Sequence, residues 1–379
     1  MTREEQYHHA RRHSQSTALS SSVAGLLTTP RNRTRSHSTS AIQQPCTPTL
    51  ATHLWESVNS KIKEIEDADS TGFLRYMDDH VQETWDTAKA AVVGAQRLLQ
   101  FHELPKEWQE NEYILSGYRF CQSSRGCLKT VFQLHNETLN IWSHLLGFIF
   151  FACLSVYGFH RHFPEAPLND RIIFMTFCIA ALKCLFCSSV YHTFLCHSRH
   201  GIKSFTATLD YIGISILITA SILVTEYYGF YCRPFAQSRY MVFTTLVGSL
   251  GVVMPFLKLW DTKQYRPLRI AVFLSMAFSS IVPVMHLILL NGLHVTFVFF
   301  RLAAVSVTMY ILGVVVYANR FPEKMFPGKF DFAGMTSHAI WHVFVCLGIY
   351  FHYLASLQFY AQRFTYGCSP SSSPFSQYS

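Results

Sequence analysis

The sequence predicts an all-α membrane protein: a seven-transmembrane helix bundle with a cytosolic N-terminus and an outside C-terminus, preceded by a disordered tail and amphipathic helices. Three observations predict it. Only 14% of the 379 residues are Asp, Glu, Lys or Arg, against about 25% in soluble domains. The acids are lopsided: sixteen of the twenty-three lie before Leu139, and only Glu165, Asp170, Asp210, Glu226, Asp261, Glu323 and Asp331 follow it. The acid-poor part is divided into apolar runs of about 20 residues, the length that crosses a hydrocarbon layer of about 30 Å.

Residues 1–52 read as a disordered Ser/Thr/Arg-rich tail, with no acid between Glu5 and Glu56 and too little apolar surface to offset the entropy of ordering. They contain no apolar core of a signal peptide. In 53–103, Val58, Ile62 and Ile65, then Val81, Trp85, Ala88, Val92, Ala95 and Leu99, recur at spacings of three and four. That is the stripe of an amphipathic helix, or of a pair broken near Ser70-Thr71-Gly72. Its acids Glu64, Glu66, Asp67, Asp78 and Asp79 disfavour anionic lipid, so packing on the membrane domain or on cytosolic partners is expected. Residues 104–138 form a cytosolic pre-membrane segment, 139–358 the seven-helix domain and 359–379 a short outside tail.

The spans are expected at about 139–159, 172–196, 205–226, 240–260, 270–290, 295–317 and 335–358. Pro283, in the fifth, is tolerable where neighbouring groups satisfy the carbonyl it frees. Twelve Lys and Arg fall in the loops on the N-terminal side and five on the other, which sets the N-terminus inside. That is opposite to heterotrimeric G-protein-coupled receptors, so seven spans do not imply that class. The net charge of +8 resides in the tail and between apolar runs rather than on one basic face, which excludes nucleic acid as a partner. The eleven Cys show no spacing of a secreted disulfide framework, and Cys184-x-x-Cys187, inside an apolar run with no second pair, reads as packing.

Ionisable groups within spans cost about 2.5–3.5 kcal/mol each on insertion scales, so each needs a partner or a task. His192 ends the second span, Asp210 lies one to two turns into the third, and His338 and His342 occupy the first two turns of the seventh. In the expected topology all four sit at similar depth under the cytosolic face. His338 and His342, at i and i+4, project from one helix face and suit two ligands on one cation, with His192 as the third. Three imidazoles and an open fourth position are the stoichiometry of catalytic zinc. His286 and His352 read as hydrogen-bonded bundle residues, and His144 as a support for the ligands. Arg301 suits snorkelling; Lys183, mid-span, has no evident partner.

At these residues the sequence resembles the progestin and adipoQ receptor family, which includes adiponectin receptors and haemolysin-III-like proteins. The resemblance runs from about Leu104 to Leu357 and is carried by His135-Asn136-Glu137-Thr138-Leu139-Asn140-Ile141-Trp142-Ser143-His144-Leu145-Leu146-Gly147, Leu209-Asp210-Tyr211-Ile212-Gly213-Ile214, Val282-Pro283-Val284-Met285-His286 and Phe326-Pro327-Gly328-Lys329-Phe330-Asp331. Ser188-x3-His192, Asp210 and His338-x3-His342 also look like the wider pattern shared with alkaline ceramidases. The resemblance implies Zn2+ on three His near the cytosolic surface, an inside N-terminus and, for adiponectin receptors, a slow ceramidase activity. Lys183 departs from the apolar residue expected there.

Two functions follow as expectations. The first is a zinc-dependent intramembrane amidase in lipid metabolism and signalling, with a ceramide-like membrane lipid as substrate. In it Asp210 is general base and then acid, and Ser188, one turn before His192, donates to the developing oxyanion or orients Asp210. The second is a receptor or zinc/lipid homeostasis regulator whose zinc is structural, with an extracellular protein ligand and cytosolic partners of the N-terminal region. Plasma membrane and endoplasmic reticulum both suit these span lengths.

Overall fold

Within hydrocarbon every backbone N–H and C=O must be satisfied by its own segment, so the long apolar runs have one practical outcome, the helix. A computed structural model describes residues 71–257, 260 and 262–368. The expected tail, the first part of the amphipathic segment and residues 369–379 lie outside the described residues. The described residues contain seven helices long and apolar enough to cross a membrane. In chain order the elements are α1 (Thr71–Gly94), α2 (Ser124–Thr130), α3 (Thr138–His162), α4 (Leu168–Phe194), α5 (His200–Gly229), α6 (Pro234–Val253), α7 (Arg266–Phe278), α8 (Ile281–Asn291), α9 (Leu293–Asn319) and α10 (Ser337–Gly367).

The fifth span is not the single rod that its apolar run suggests: α7 and α8 are separate helices joined at Ser279-Ser280. Pro283 has no N–H to give to the Ser279 carbonyl. At the break the serine hydroxyls bond back to their own helix, Ser279 Oγ donating to the Met276 carbonyl at 2.7 Å and Ser280 Oγ to the Ala277 carbonyl at 2.7 Å.

Helices adjacent in sequence pack side by side, α4 on α5 and α9 on α10 most extensively. Their shared core is aromatic, with Phe163, Phe174, Tyr228, Phe230, Phe299 and Phe359 essentially inaccessible. Large apolar residues such as Leu246, Leu250, Leu289 and Phe297 face outward, as a lipid-covered surface requires. Polar glue crosses the bundle where backbones approach: Ser215 on α5 donates to the Gly251 carbonyl on α6 at 2.8 Å, and Ser306 on α9 to Gly348 on α10 at 2.7 Å.

The segment before α3 folds against the same end of the bundle as the start of α5. Leu99 and Tyr118 exchange backbone hydrogen bonds at 2.7 and 3.1 Å. Around them Ala90, Ala91, Leu104, Trp108 and Phe120 form a small separate core. The phase of α1 differs from the expected stripe, for Val92 is 51% exposed while Ala90 and Ala91 are buried; these small residues permit the close approach of Trp108 and Phe120. Lys203, buried in the first turn of α5, reaches Glu110 at 2.9 Å and the Glu107 carbonyl at 2.7 Å.

At the other end of α5, Cys232 forms a disulfide with Cys368, just beyond α10. The bond had no spacing signature, yet both cysteines fall on the side expected to be outside, where disulfides persist. With 30 residues, α5 spans about 45 Å, so this pair is far from the His192 end of the bundle.

Candidate metal centre

The three predicted imidazoles meet. His192 in the last turn of α4, and His338 and His342 in the first two turns of α10, each offer one ring nitrogen, and these atoms lie within 4.8 Å of one another. Ring centroids are 4.9 Å apart for His192–His338, 4.9 Å for His192–His342 and 4.8 Å for His338–His342. The i,i+4 spacing alone sets the last of these; the other two come from packing α4 against α10.

Hydrogen-bond partners assign the tautomers. His192 Nδ1 is 2.7 Å from Glu137 Oε2, and because an ionised carboxylate only accepts, Nδ1 carries the proton. His342 Nδ1 lies 3.1 Å from the Asn140 carbonyl and is protonated by the same logic. Each ring thereby presents its unprotonated Nε2 to the centre. The His192 and His338 Nε2 atoms face each other at 3.1 Å, a separation that either a proton on His338 Nε2 or a cation shared by the two nitrogens satisfies. A tetrahedral zinc with bonds of about 2.0–2.1 Å brings neighbouring nitrogens to about 3.3 Å. The donor set and its spacing therefore fit zinc.

Sequence alone does not single out Glu137. It precedes α3, outside the spans, and its approach to His192 joins residues 55 apart. Its only signal lies inside the resembling His135–Gly147 segment. The carboxylate also accepts from Asn140 Nδ2 at 2.7 Å, so Asn140 supports one ligand through Glu137 and another through its own carbonyl. Burial raises the Glu137 pKa, but the hydrogen bonds from His192 and Asn140 oppose it, and the carboxyl is held down to about 2. Glu137→Gln is expected to weaken zinc affinity about 10–100-fold, the usual cost of losing such an outer partner, measured by competition with a chelator of known affinity.

The start of α10 is fixed from below. Glu323, wholly buried, accepts from Ser337 N at 2.8 Å and Ser337 Oγ at 2.5 Å, which places a carboxylate on the N-terminus of the helix that carries two ligands. Asp331, in the resembling Phe326–Asp331 segment, accepts from Leu115 N at 3.0 Å, and from Ser116 N and Ser116 Oγ at 2.8 Å each. The acids of this loop are thus scaffolding.

Asp210, 8% exposed on α5, stands outside the three-nitrogen group. It lies within electrostatic reach of His192, and the Ser188 hydroxyl faces it. Both Asp210 and Ser188 line the cavity that the three imidazoles line. The cavity has a volume of about 1180 Å3 and continues past Ile214, Phe273, Val284, Val307 and Ile311 between α5, α7, α8 and α9. It is large enough for a long acyl chain, and its polar groups are concentrated at the histidine end.

The remaining expectations sort cleanly. His144 stacks on His342 at 3.7 Å, buttressing that ring by contact. His286 bonds Tyr240 at 3.1 Å and His352 the Ser221 carbonyl at 3.1 Å, as bundle residues. Arg301 is exposed. Lys183 Nζ is buried without a hydrogen bond, and its charge is felt by Asp210. Cys184 and Cys187 are buried and belong to no metal-capable group among the described residues.

Comparison with known proteins shows the family of the chain. A profile of the family described as haemolysin-III-related matches residues 132–353. The chain is 37% identical to an uncharacterised protein of Schizosaccharomyces pombe over 74% of its own length and 63% of the relative's. It is 34% identical to the adiponectin receptor protein of Drosophila melanogaster, covering 73% and 61% respectively. It is also 38% identical to heptahelical transmembrane protein 1 of Arabidopsis thaliana, covering 72% and 83%. The chain thus spans about three fifths of the length of the first two.

Proposed function

The chain belongs to the haemolysin-III-related family, and from that membership and its histidine cluster we propose that it is a zinc-dependent intramembrane amidase acting on a ceramide-like lipid. The observation that carries this reading is the position of the cluster: His192, His338 and His342 line the same large cavity as Asp210, Ser188 and a long run of apolar side chains. Zinc, when bound there, supplies Lewis acidity that makes a water nucleophilic near neutral pH.

The chain's own groups do the rest. Glu137 and the Asn140 carbonyl hold two imidazoles in the ligating tautomer. The Asp210 carboxylate takes the proton of the attacking water as its oxygen bonds to the amide carbon, and returns it to the nitrogen as the C–N bond breaks. Fatty acid and free amine leave, with atoms and charge balanced. The Ser188 hydroxyl donates to the oxygen of the former carbonyl or orients Asp210. Apolar walls bind acyl chains and exclude bulk water.

The positive-inside bias and the position of the Cys232–Cys368 disulfide support a cytosolic N-terminus and an outside C-terminus. The names of relatives such as the adiponectin receptor protein favour a second reading, a receptor with structural zinc. Protein purified in detergent and given acyl-labelled ceramide separates the two. The amidase reading expects fatty acid release that a zinc chelator abolishes and added Zn2+ restores. Absence of turnover by zinc-replete protein across several N-acyl lipids would leave the receptor reading.

A further inference from the structure

We propose that Cys121, Cys127 and Cys196 form a second, thiolate-based zinc site, close to the histidine cluster and chemically distinct from it. Their sulfurs lie within 4.8 Å of one another. Cys127 and Cys196 are buried, with Sγ atoms 3.7 Å apart, and Cys121 is partly accessible. Such a cluster is not the product of one element. Cys121 N donates to the Cys196 carbonyl at 2.8 Å and Ser198 N to the Cys121 carbonyl at 2.8 Å, which clamps Cys121 beside the chain leaving α4. Ser123 then caps α2, its Oγ accepting from Gly126 N at 3.1 Å, and that single turn brings Cys127 back beneath the other two. Backbone thus fixes all three sulfurs before any ion arrives.

The donor chemistry selects the metal. Soft thiolates favour zinc or monovalent copper over magnesium, calcium or manganese, and structural zinc is commonly held by Cys-rich sets. Three sulfurs fill three of the four positions that zinc prefers, leaving one for a small exogenous ligand. Charge favours the divalent ion: three thiolates around Zn2+ carry one net negative charge, and the Arg119 guanidinium lies within electrostatic reach of Cys121 and Cys196. Binding releases the thiol protons to solvent and involves no change of oxidation state. The cluster also lies at the end of α5 opposite the Cys232–Cys368 disulfide, which suits free thiols.

Arg119 links the two centres. Its Nη1 donates to Thr130 Oγ1, in the last turn of the helix carrying Cys127, at 2.7 Å, and its Nη2 donates to the His192 carbonyl at 2.8 Å. An ion on the sulfurs would hold α2 and, through Arg119, the end of α4.

The test uses the full chain purified in detergent under reducing, oxygen-free conditions, stripped of metal and titrated with Co2+ or Zn2+. Cobalt is expected to give a sulfur-to-metal charge-transfer band that persists in the His192→Ala/His338→Ala/His342→Ala variant and is lost in Cys121→Ser/Cys127→Ser/Cys196→Ser. The cysteine variant is expected to hold one equivalent less zinc than wild type. A measurement on unmutated protein avoids dependence on the folding of variants: Zn2+ should slow maleimide modification of these cysteines by about tenfold or more, as loss of the free thiolate requires. No sulfur band and no protection in wild type would overturn the proposal, as would a site that takes Cu+ and not Zn2+.

Discussion

Asp210→Asn is expected to lower lipid hydrolysis by about 10²–10⁴-fold, the usual contribution of a positioned acid–base group, with zinc content unchanged. The side chain keeps its shape and its place beside Ser188, and it stands outside the group of ring nitrogens, so metal retention is the distinguishing half of the result. An amide can no longer accept the water's proton or return it to the amine. Turnover of labelled ceramide and metal analysis on the same preparation check both halves. Loss of zinc together with activity would make Asp210 part of the metal-binding scaffold and remove it from the chemistry.

His342→Ala is expected to weaken zinc binding by more than the roughly 100-fold that bounds loss of an outer partner, because it removes a donor nitrogen outright. It should also abolish hydrolysis. The variant leaves Glu137 and His192 paired and His338 in place, but two nitrogens do not complete a zinc site. It also deletes the ring on which His144 stacks at 3.7 Å, so a cavity opens and a stability cost of about 2 kcal/mol accompanies the metal loss. Zinc stoichiometry after gel filtration, with thermal unfolding in detergent, separates the two effects. Full zinc occupancy would exclude His342 as a ligand.

The spans were legible because length and apolarity dictate helices in hydrocarbon whatever their neighbours. The histidine cluster was legible for a rarer reason: His338 and His342 share a face by spacing, and the order of the spans places His192 and Asp210 at their depth. Glu137 was not, since it is 55 residues from its partner and lies outside any span, where an acid carries no cost that demands explanation. The break at Ser279-Ser280 was hidden because an isolated Pro283 in an apolar run is compatible with a continuous helix. The phase of α1 was misread at Val92 because two alanines, weakly hydrophobic, were outvoted by larger residues whose contacts they in fact replace. The cysteine trio had no sequence signal: an irregular strap and a two-turn helix bring Cys121 and Cys127 to Cys196. Cys232 and Cys368 carried a faint one, both flanking spans on the same expected side.

The distribution of the ligands along the chain sets an order of events. One imidazole, on α4, enters the membrane before the other two, which ride on α10, the last of the described spans. Until α10 has been inserted and has docked against α9, α5 and α3, His192 and its Glu137 partner lack the two imidazoles with which they would share a cation. Metal binding by the three imidazoles, as proposed above, would therefore follow insertion of α10, and a polypeptide stalled before Ser337 would lack two of the three nitrogens.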